Sequence, residues 1–257
     1  MADAWSERIV PGRFAGKTAI VTGAGSGIGR AAAARIAREG GRVVATDVDP
    51  ERLTELERTF ADLDLVTIAG DVAEQADVER VVAAAGDRVD GLVNNAGIMD
   101  RFAPVHEVDD ATWERVLRVN VTGLMRMTRA IVPGMLAAGS GSIVNVTSEA
   151  GFRGSSAGVA YTASKHAVLG ITRSSAFMYA PTGIRVNAVA PGAVRTNIVA
   201  EWGSTYAQGR IGPVMQATMT GVAQPEEVAA AIAWLLSDDA PNVNGALLTS
   251  DGGWSAV

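Results

Sequence analysis

With 257 residues, 48% of them hydrophobic and 19% charged, the chain has the composition of a protein with a large buried interior and not of a disordered one. A formal charge of -6 gives no electrostatic attraction to a nucleic-acid backbone or an anionic bilayer. The absence of cysteine and the presence of only two histidines, His106 and His166, exclude disulfides and the usual ligand sets of catalytic zinc.

The N-terminal residues include Asp3, Glu7 and Arg8 without an apolar run, and no later stretch reaches the roughly 20 uninterrupted apolar residues of a membrane span. A cytoplasmic protein is expected, with no membrane or nucleic-acid partner. Residues 1–15 read as a surface extension and 16–257 as one domain, because α/β folds of this length commonly share one core. The sequons at Asn120 and Asn145 lack a secretory signal and are read as chance matches.

In chain order, a β-rich run at 18–21 leads directly into Thr22-Gly23-Ala24-Gly25-Ser26-Gly27-Ile28-Gly29, and a helix is expected over 30–39. Glycines there permit positive φ in a tight turn and let the backbone approach a pyrophosphate resting on free N–H groups at a helix N-terminus. A second strand at 42–46 ends at Asp47, about 20 residues on, where a carboxylate accepts from adenosine ribose hydroxyls and repels a 2′-phosphate. With no Arg or Lys in the glycine turn or next to Asp47, NAD is expected over NADP. A helix at 51–60 and a third strand at 65–69 follow. Asp71, beside Val72, fits either a partner of the adenine amino group or the N-cap of the helix at 77–85.

Further strands are expected at 91–93, 142–146, 185–189 and 246–249, with helices at 113–136, 163–179 and 225–236. Such alternation builds right-handed βαβ units. The predicted architecture is an α/β, Rossmann-type, doubly wound three-layer sandwich with a seven-stranded parallel sheet, whose ligands bind beyond the carboxyl ends of the strands. The segment 195–224 is punctuated by glycine and reads as a flap over that crevice.

Thr22-Gly23-x-x-x-Gly27-x-Gly29, Asn94-Asn95-Ala96-Gly97, Ser148, Tyr161-x-x-x-Lys165, Pro191-Gly192 and Ser250-Asp251-Gly252-Gly253 occur in an order and spacing that resembles the main single-domain branch of the short-chain dehydrogenase/reductase family, over 17–253. The resemblance implies that Asn95, Ala96 and Gly97 support the central sheet and line the adenosine side, with Ile98 beside the cofactor. It implies that Asn120 anchors a water between its helix and the active-site lysine; from the residues alone Asn120 reads as a buried side chain bonded to backbone. Pro191, Gly192, Val194 and Thr196 resemble the family's nicotinamide clamp, and a homotetramer is implied.

Tyr161 and Lys165 lie four apart in a helical segment, one turn from each other on one face. A tyrosine acting as a base near neutrality needs its pKa lowered by about 3 units, roughly 4 kcal/mol. A unit charge about 4 Å away at an effective dielectric near 20 supplies about that much, so Lys165 with an oxidised nicotinamide is expected to acidify Tyr161. Ser148 would hold the substrate oxygen. The expected reaction is NAD(H)-dependent interconversion of a secondary alcohol and a ketone.

Three alternatives compete. Gly154-Ser155-Ser156-Ala157-Gly158 fits a serine-hydrolase elbow but lacks the required strand before it and an acid ahead of a later histidine. A 3-oxoacyl thioester reductase of the same family commonly prefers NADPH, against Asp47. A non-catalytic NAD-binding regulator on the same fold has no use for Ser148, Tyr161 and Lys165 together. The flap residues Ile198, Trp202, Tyr206, Ile211, Met215 and Met219 suggest an apolar roof and a hydrophobic substrate, while Arg195 or Arg210 would suit an anionic tail.

Overall fold

The computed structural model describes residues 5–197 and 201–256. Seven strands, β1 (Thr18–Thr22), β2 (Arg42–Asp47), β3 (Leu65–Ala69), β4 (Gly91–Asn94), β5 (Gly141–Val146), β6 (Ile184–Pro191) and β7 (Leu247–Ser250), form one sheet in the order β3-β2-β1-β4-β5-β6-β7. Every adjacent pair is parallel.

Period-2 alternation divides the strand residues between two faces. Ala19, Val21, Val43, Ala45, Val93 and Val144 belong to one core, with apolar residues of α1 (Gly27–Arg38), α2 (Pro50–Thr59) and α8 (Pro225–Leu236). Ile20, Val44, Leu92 and Ile143 belong to the other, with residues of α3 (Gln75–Ala85), α5 (Leu124–Ala138) and α6 (Val159–Tyr179). A sheet buried on both faces needs apolar residues at successive positions, which is why these strands read as continuous runs. The expected three-layer α/β sandwich is thus present.

The chain departs from the expected boundaries where glycine and proline obscure helical periodicity. The helix expected from Arg30 begins at Gly27, so the glycine motif supplies its first turn. The helix expected over 113–136 is two, α4 (Asp110–Leu117) and α5, joined by a π-helical turn, Arg118–Gly123. Within the flap lies α7 (Thr205–Thr218), hidden in the sequence by Gly209, Gly212 and Pro213. Residues 5–15, expected as a surface extension, are tied to α1: Phe14 is buried, and Glu7 and Arg13 pair with the buried Arg35 and Glu39 respectively. Among the described residues no helix is long and apolar enough to cross a membrane.

The order of the strands fixes where a ligand binds. From β1 the sheet grows outward through β2 to β3, then the chain returns and builds the other half from β4, so a crevice opens beyond the carboxyl ends of β1 and β4. The two ends are laced together: the Asn95 N–H donates to the Thr22 hydroxyl at 3.0 Å, and Asn95 Nδ2 donates to the Thr22 and Gly23 carbonyls at 3.0 and 3.1 Å.

Leu92 on the central strand β4 is 0% exposed. Truncation to Ala leaves a cavity that the flanking strands cannot fill, and Leu92→Ala is expected to lower unfolding free energy by about 2–5 kcal/mol in chemical denaturation, with the denaturant slope unchanged.

Candidate active site

A cleft of about 420 Å³ at the crevice is lined by Gly23, Ser26, Gly27, Ile28, Asp47, Asp71, Val72, Asn95, Ala96 and Gly97. Gly23 and Gly27 adopt φ of +64° and +51°, and a Cβ at Gly29 would collide with the Gly23 carbonyl, so the turn closes only with glycines. Ser26 is the N-cap of α1 but makes no side-chain cap, which leaves the first N–H groups of the helix for an anion. The Asp47 carboxylate accepts from the Gly25 N–H at 3.0 Å and the Asp49 N–H at 3.0 Å. Each oxygen keeps a lone pair for a hydroxyl donor. These features fit the diphosphate and adenosine of a dinucleotide.

Two details differ from the linear reading. A cation does reach the adenosine end: Arg52, in the first turn of α2, lines the cleft beside Asp47 and Val48 and pairs with Asp49 at 3.0 Å. Asp71 is not the N-cap of α3, which is Glu74; its carboxylate closes a turn by accepting from the Ala73 N–H at 2.8 Å, and it faces Arg118 at 3.4 Å while lining the cleft with Val72.

A second cleft, of about 310 Å³, shares Ile28, Asn95, Gly97 and Thr196 with the first and is lined by Ser148, Tyr161, Lys165, Pro191, Gly192 and Val194. The fold thus gathers into adjoining clefts every cofactor and proton-transfer residue singled out in the sequence except Asn120, which stands behind the cleft. Ser148 sits just beyond β5 and caps a single 3-10 turn, Glu149–Gly151, by accepting from the Ala150 N–H at 3.2 Å. Tyr161 is in the first turn of α6, four residues before Lys165.

Asn120 lies in the π-helical turn, and its side chain is engaged by protein groups. Its Oδ1 accepts from the Ile98 N–H at 2.8 Å, and its Nδ2 donates to the Ile98 carbonyl and to Ser164 Oγ, each at 3.0 Å. These bonds join the loop after β4 to α6. The backbone-bonded reading of Asn120 therefore describes its side chain.

The chain's own groups, apart from the oxidised nicotinamide that the expected acidification also counts, favour the neutral phenol. Burial pushes the Tyr161 phenol up to about 12; a hydrogen bond with Ser148 acts downward, and the charge of Asp100 upward. Burial likewise pushes Lys165 down to about 8. The ammonium donates to the Val146 carbonyl at 2.9 Å and lies 5.4 Å from the centroid of the Tyr161 ring. Desolvation outweighs the attraction that spacing alone suggested, and the protein's own groups keep the phenol protonated at neutral pH.

The apolar walls of the second cleft come from Met99, Phe102, Met215, Val222 and Trp254. Of the residues expected to roof it, Met215 lines the cleft, Trp202 stacks on Phe102 at 4.3 Å, and Tyr206 and Met219 are exposed; Ile211 is half-buried, and Ile198 lies outside the described residues. Arg195 and Arg210 are exposed and line neither this cleft nor the first. Trp254, which no local pattern marked, replaces much of the expected roof. Ser156 lines the cleft, but in a loop with no strand before it, and His166 is exposed with Nδ1 at 2.9 Å from the Thr162 carbonyl; no hydrolase elbow forms.

A family model described as short chain dehydrogenase matches residues 17–207. A 3beta-hydroxysteroid dehydrogenase 2 of Eggerthella lenta is 42% identical, the match covering 95% of this chain and 96% of that protein. A cis-4-hydroxycyclohexanecarboxylate dehydrogenase of Sinomonas cyclohexanicum is 42% identical, covering 95% and 98%. A solved short chain dehydrogenase from Mycobacterium paratuberculosis bound to NAD is 31% identical with a TM-score of 0.86, covering 96% and 100%; other matching structures carry NADH or NADP.

The burial of Lys165 has a consequence for stability. Below about pH 8 the folded and unfolded chains both hold its proton, and the cost of the buried charge is fully present; between about 8 and the ordinary value of 10.5 only the folded chain has released it, so this contribution makes stability rise with pH. Lys165→Met is expected to stabilise the fold at pH 7 by on the order of 2 kcal/mol while removing activity, as checked by chemical denaturation at pH 7 and 9, the gain shrinking at the higher pH.

Proposed function

The chain belongs to the short-chain dehydrogenase family, and from that premise we propose that it is an NAD(H)-dependent oxidoreductase interconverting a secondary alcohol and a ketone with Tyr161 as the proton donor and acceptor. The observation that carries this reading is the placement of Ser148, Tyr161 and Lys165 on one cleft that adjoins the glycine turn.

Gly23, Ser26, Gly27 and Ile28 would hold the diphosphate, Asp47 the adenosine ribose, Asp71 and Val72 the adenine, Asn95, Ala96 and Gly97 the adenosine side, and Val194 and Thr196 the carboxamide. When bound, the nicotinamide supplies or accepts the hydride. In the reducing direction Ser148 donates to the carbonyl oxygen, and Tyr161, kept protonated by burial, passes its hydroxyl proton to that oxygen. Lys165 retains N–H donors beyond its bond to Val146 for the nicotinamide ribose. In the oxidising direction the phenol must first lose its proton, and the positive charge near it favours that form. Asn120 holds the loop after β4 against α6 and so keeps Tyr161 and Lys165 in register with the cofactor cleft.

The geometry of Asp47 supports NAD over NADP, since a 2′-phosphate would meet its carboxylate. The walls formed by Met99, Phe102, Met215, Val222 and Trp254 support an apolar alicyclic substrate, in keeping with relatives that oxidise ring alcohols. Exposed Met125 and Leu136 on α5, with Phe177 and Met178 on α6, support assembly as a homotetramer.

Tyr161→Phe is expected to lower kcat by about 10²–10⁴-fold with NADH affinity changed less than about twofold, read from nicotinamide absorbance and from NADH fluorescence on titration; turnover near that of the parent would remove Tyr161 from the reaction. Asp47→Ala should reduce the ratio of kcat/KM for NAD to that for NADP by about 10–100-fold, the loss of charged hydrogen bonds, with an unchanged ratio assigning cofactor choice elsewhere.

A further inference from the structure

Asp100 has no part in the roles above, yet its carboxylate is among the most enclosed in the chain at 1% exposure. It accepts three backbone hydrogen bonds. Oδ1 takes the N–H groups of Phe102 at 3.1 Å and Gly158 at 3.2 Å, and Oδ2 takes that of Tyr161 at 2.9 Å. Gly158 is the N-cap of α6 and Tyr161 its third residue, so the helix that bears the phenol is capped by a side chain from the loop after β4.

A helix is ordinarily capped by its own N-cap side chain. Gly158 has none, and a Cβ there would lie 2.5 and 2.6 Å from the two Asp100 oxygens and 2.6 Å from the Ala103 nitrogen; the glycine makes room for the carboxylate and for the loop that follows it. The loop beyond Asp100 is strained to match. Arg101 and Phe102 both adopt left-handed φ, 59° and 62°, a conformation rare for side chains of this size that persists where the surroundings over-determine it. The same two residues hold the beginning of the flap, Phe102 through its stack on Trp202 and Arg101 by accepting from the Gly203 N–H at 2.8 Å.

We propose that Asp100 is a positioning residue for Tyr161, fixing the first turn of α6 and placing a carboxylate charge at the backbone N–H of the residue that bears the phenol. The proposal rests on the reading of Tyr161 as the proton donor. In ketone reduction that proton moves from the phenol to the carbonyl oxygen as the hydride adds to the carbonyl carbon, leaving a tyrosinate that regains a proton from solvent. The charged groups around the phenol are Asp100 from the loop after β4, Lys165 from α6 itself, and Glu149 from the loop after β5. Glu149 is paired with Arg153, and Asp100 is the acidic group whose charge bears on the phenol, a smaller influence than burial. Its effect on Tyr161 is upward, adding to that of burial.

The test is the pH dependence of turnover in both directions for Asp100→Asn, alongside NADH affinity by fluorescence. The expected result is that the alkaline rise of alcohol oxidation moves to lower pH by about one unit. At neutral pH, kcat for ketone reduction should fall about tenfold or more, with NADH affinity within about twofold. Asp100→Glu, which keeps the charge but not the reach, should lower kcat without moving the profile. If Asp100→Asn does not fold, Gly158→Ala, which displaces the carboxylate, should move the profile in the same direction. A fall in kcat with the profile in place would overturn the proposal and leave Asp100 a structural cap, and so would parental behaviour of whichever variant folds. Tyr161→Phe separates the two readings: activity there removes the proton donor itself, whereas an inactive Tyr161→Phe beside an unshifted Asp100→Asn defeats this proposal alone.

Discussion

Everything at the reacting end depends on an ammonium and a phenol carried one turn apart on α6 and taken out of water together. Removal from water opposes charge on both groups, raising Tyr161 and lowering Lys165, and at this depth it exceeds the mutual help that proximity gives. A neutral phenol is suited to giving a proton to a carbonyl, and a lysine poised near the physiological range responds to the charge that arrives beside it. The burial that weakens the resting charge also strengthens any new electrostatic contact made in the cleft, because the same low dielectric governs both.

Such a pair works only if the sheet delivers it to the cofactor cleft. The lacing of Thr22 and Asn95 across the ends of β1 and β4 holds the glycine turn against the loop that continues to Asn120's partner Ile98. Asn120 in turn bonds Ser164 on α6. The π-helical turn, Arg118–Gly123, interrupts an otherwise regular helix, as such insertions often do near functional sites. A line of side-chain hydrogen bonds thus runs from the glycine turn to α6.

Sequence patterns carried the sheet well because strands buried on both faces leave uninterrupted apolar runs, and all seven were placed to within a residue or two. They carried the glycine turn and Asp47 because these lie at strand ends that local signals mark, and Ser148, Tyr161 and Lys165 because their order and spacing resemble the family's motifs. Other features were invisible for identifiable reasons. Asp100 follows β4 by six residues and caps a helix some 60 residues on, a relation without local signature. Arg52 is not adjacent to Asp47 in sequence, and the turn that brings it to the cleft beside that carboxylate leaves no local signature. The upward push of burial on Tyr161 has no signature in the sequence, because spacing reports which charges are near and says nothing of the solvent removed.

The substrate side is built on a different plan. Its wall includes Met215 and Val222 from the flap and Trp254 from beyond β7, segments outside the central strands. Trp254 donates from Nε1 to Thr218 at 2.8 Å, at the end of α7, and its carbonyl accepts from Arg153 at 3.2 Å. The Arg153 guanidinium lies 5.2 Å from the indole centroid and pairs with Glu149, the residue after Ser148. The wall and the loop that carries Ser148 therefore share one chain of contacts, in which a buried ion pair demands that its geometry be kept. A change of side chain in the flap or the tail reshapes the space offered to the substrate, and the rigid strand ends hold the hydride-transfer geometry constant; but because the tail also grips Arg153, not every reshaping leaves Ser148 where it was. Met215 and Val222 line the wall without entering that chain.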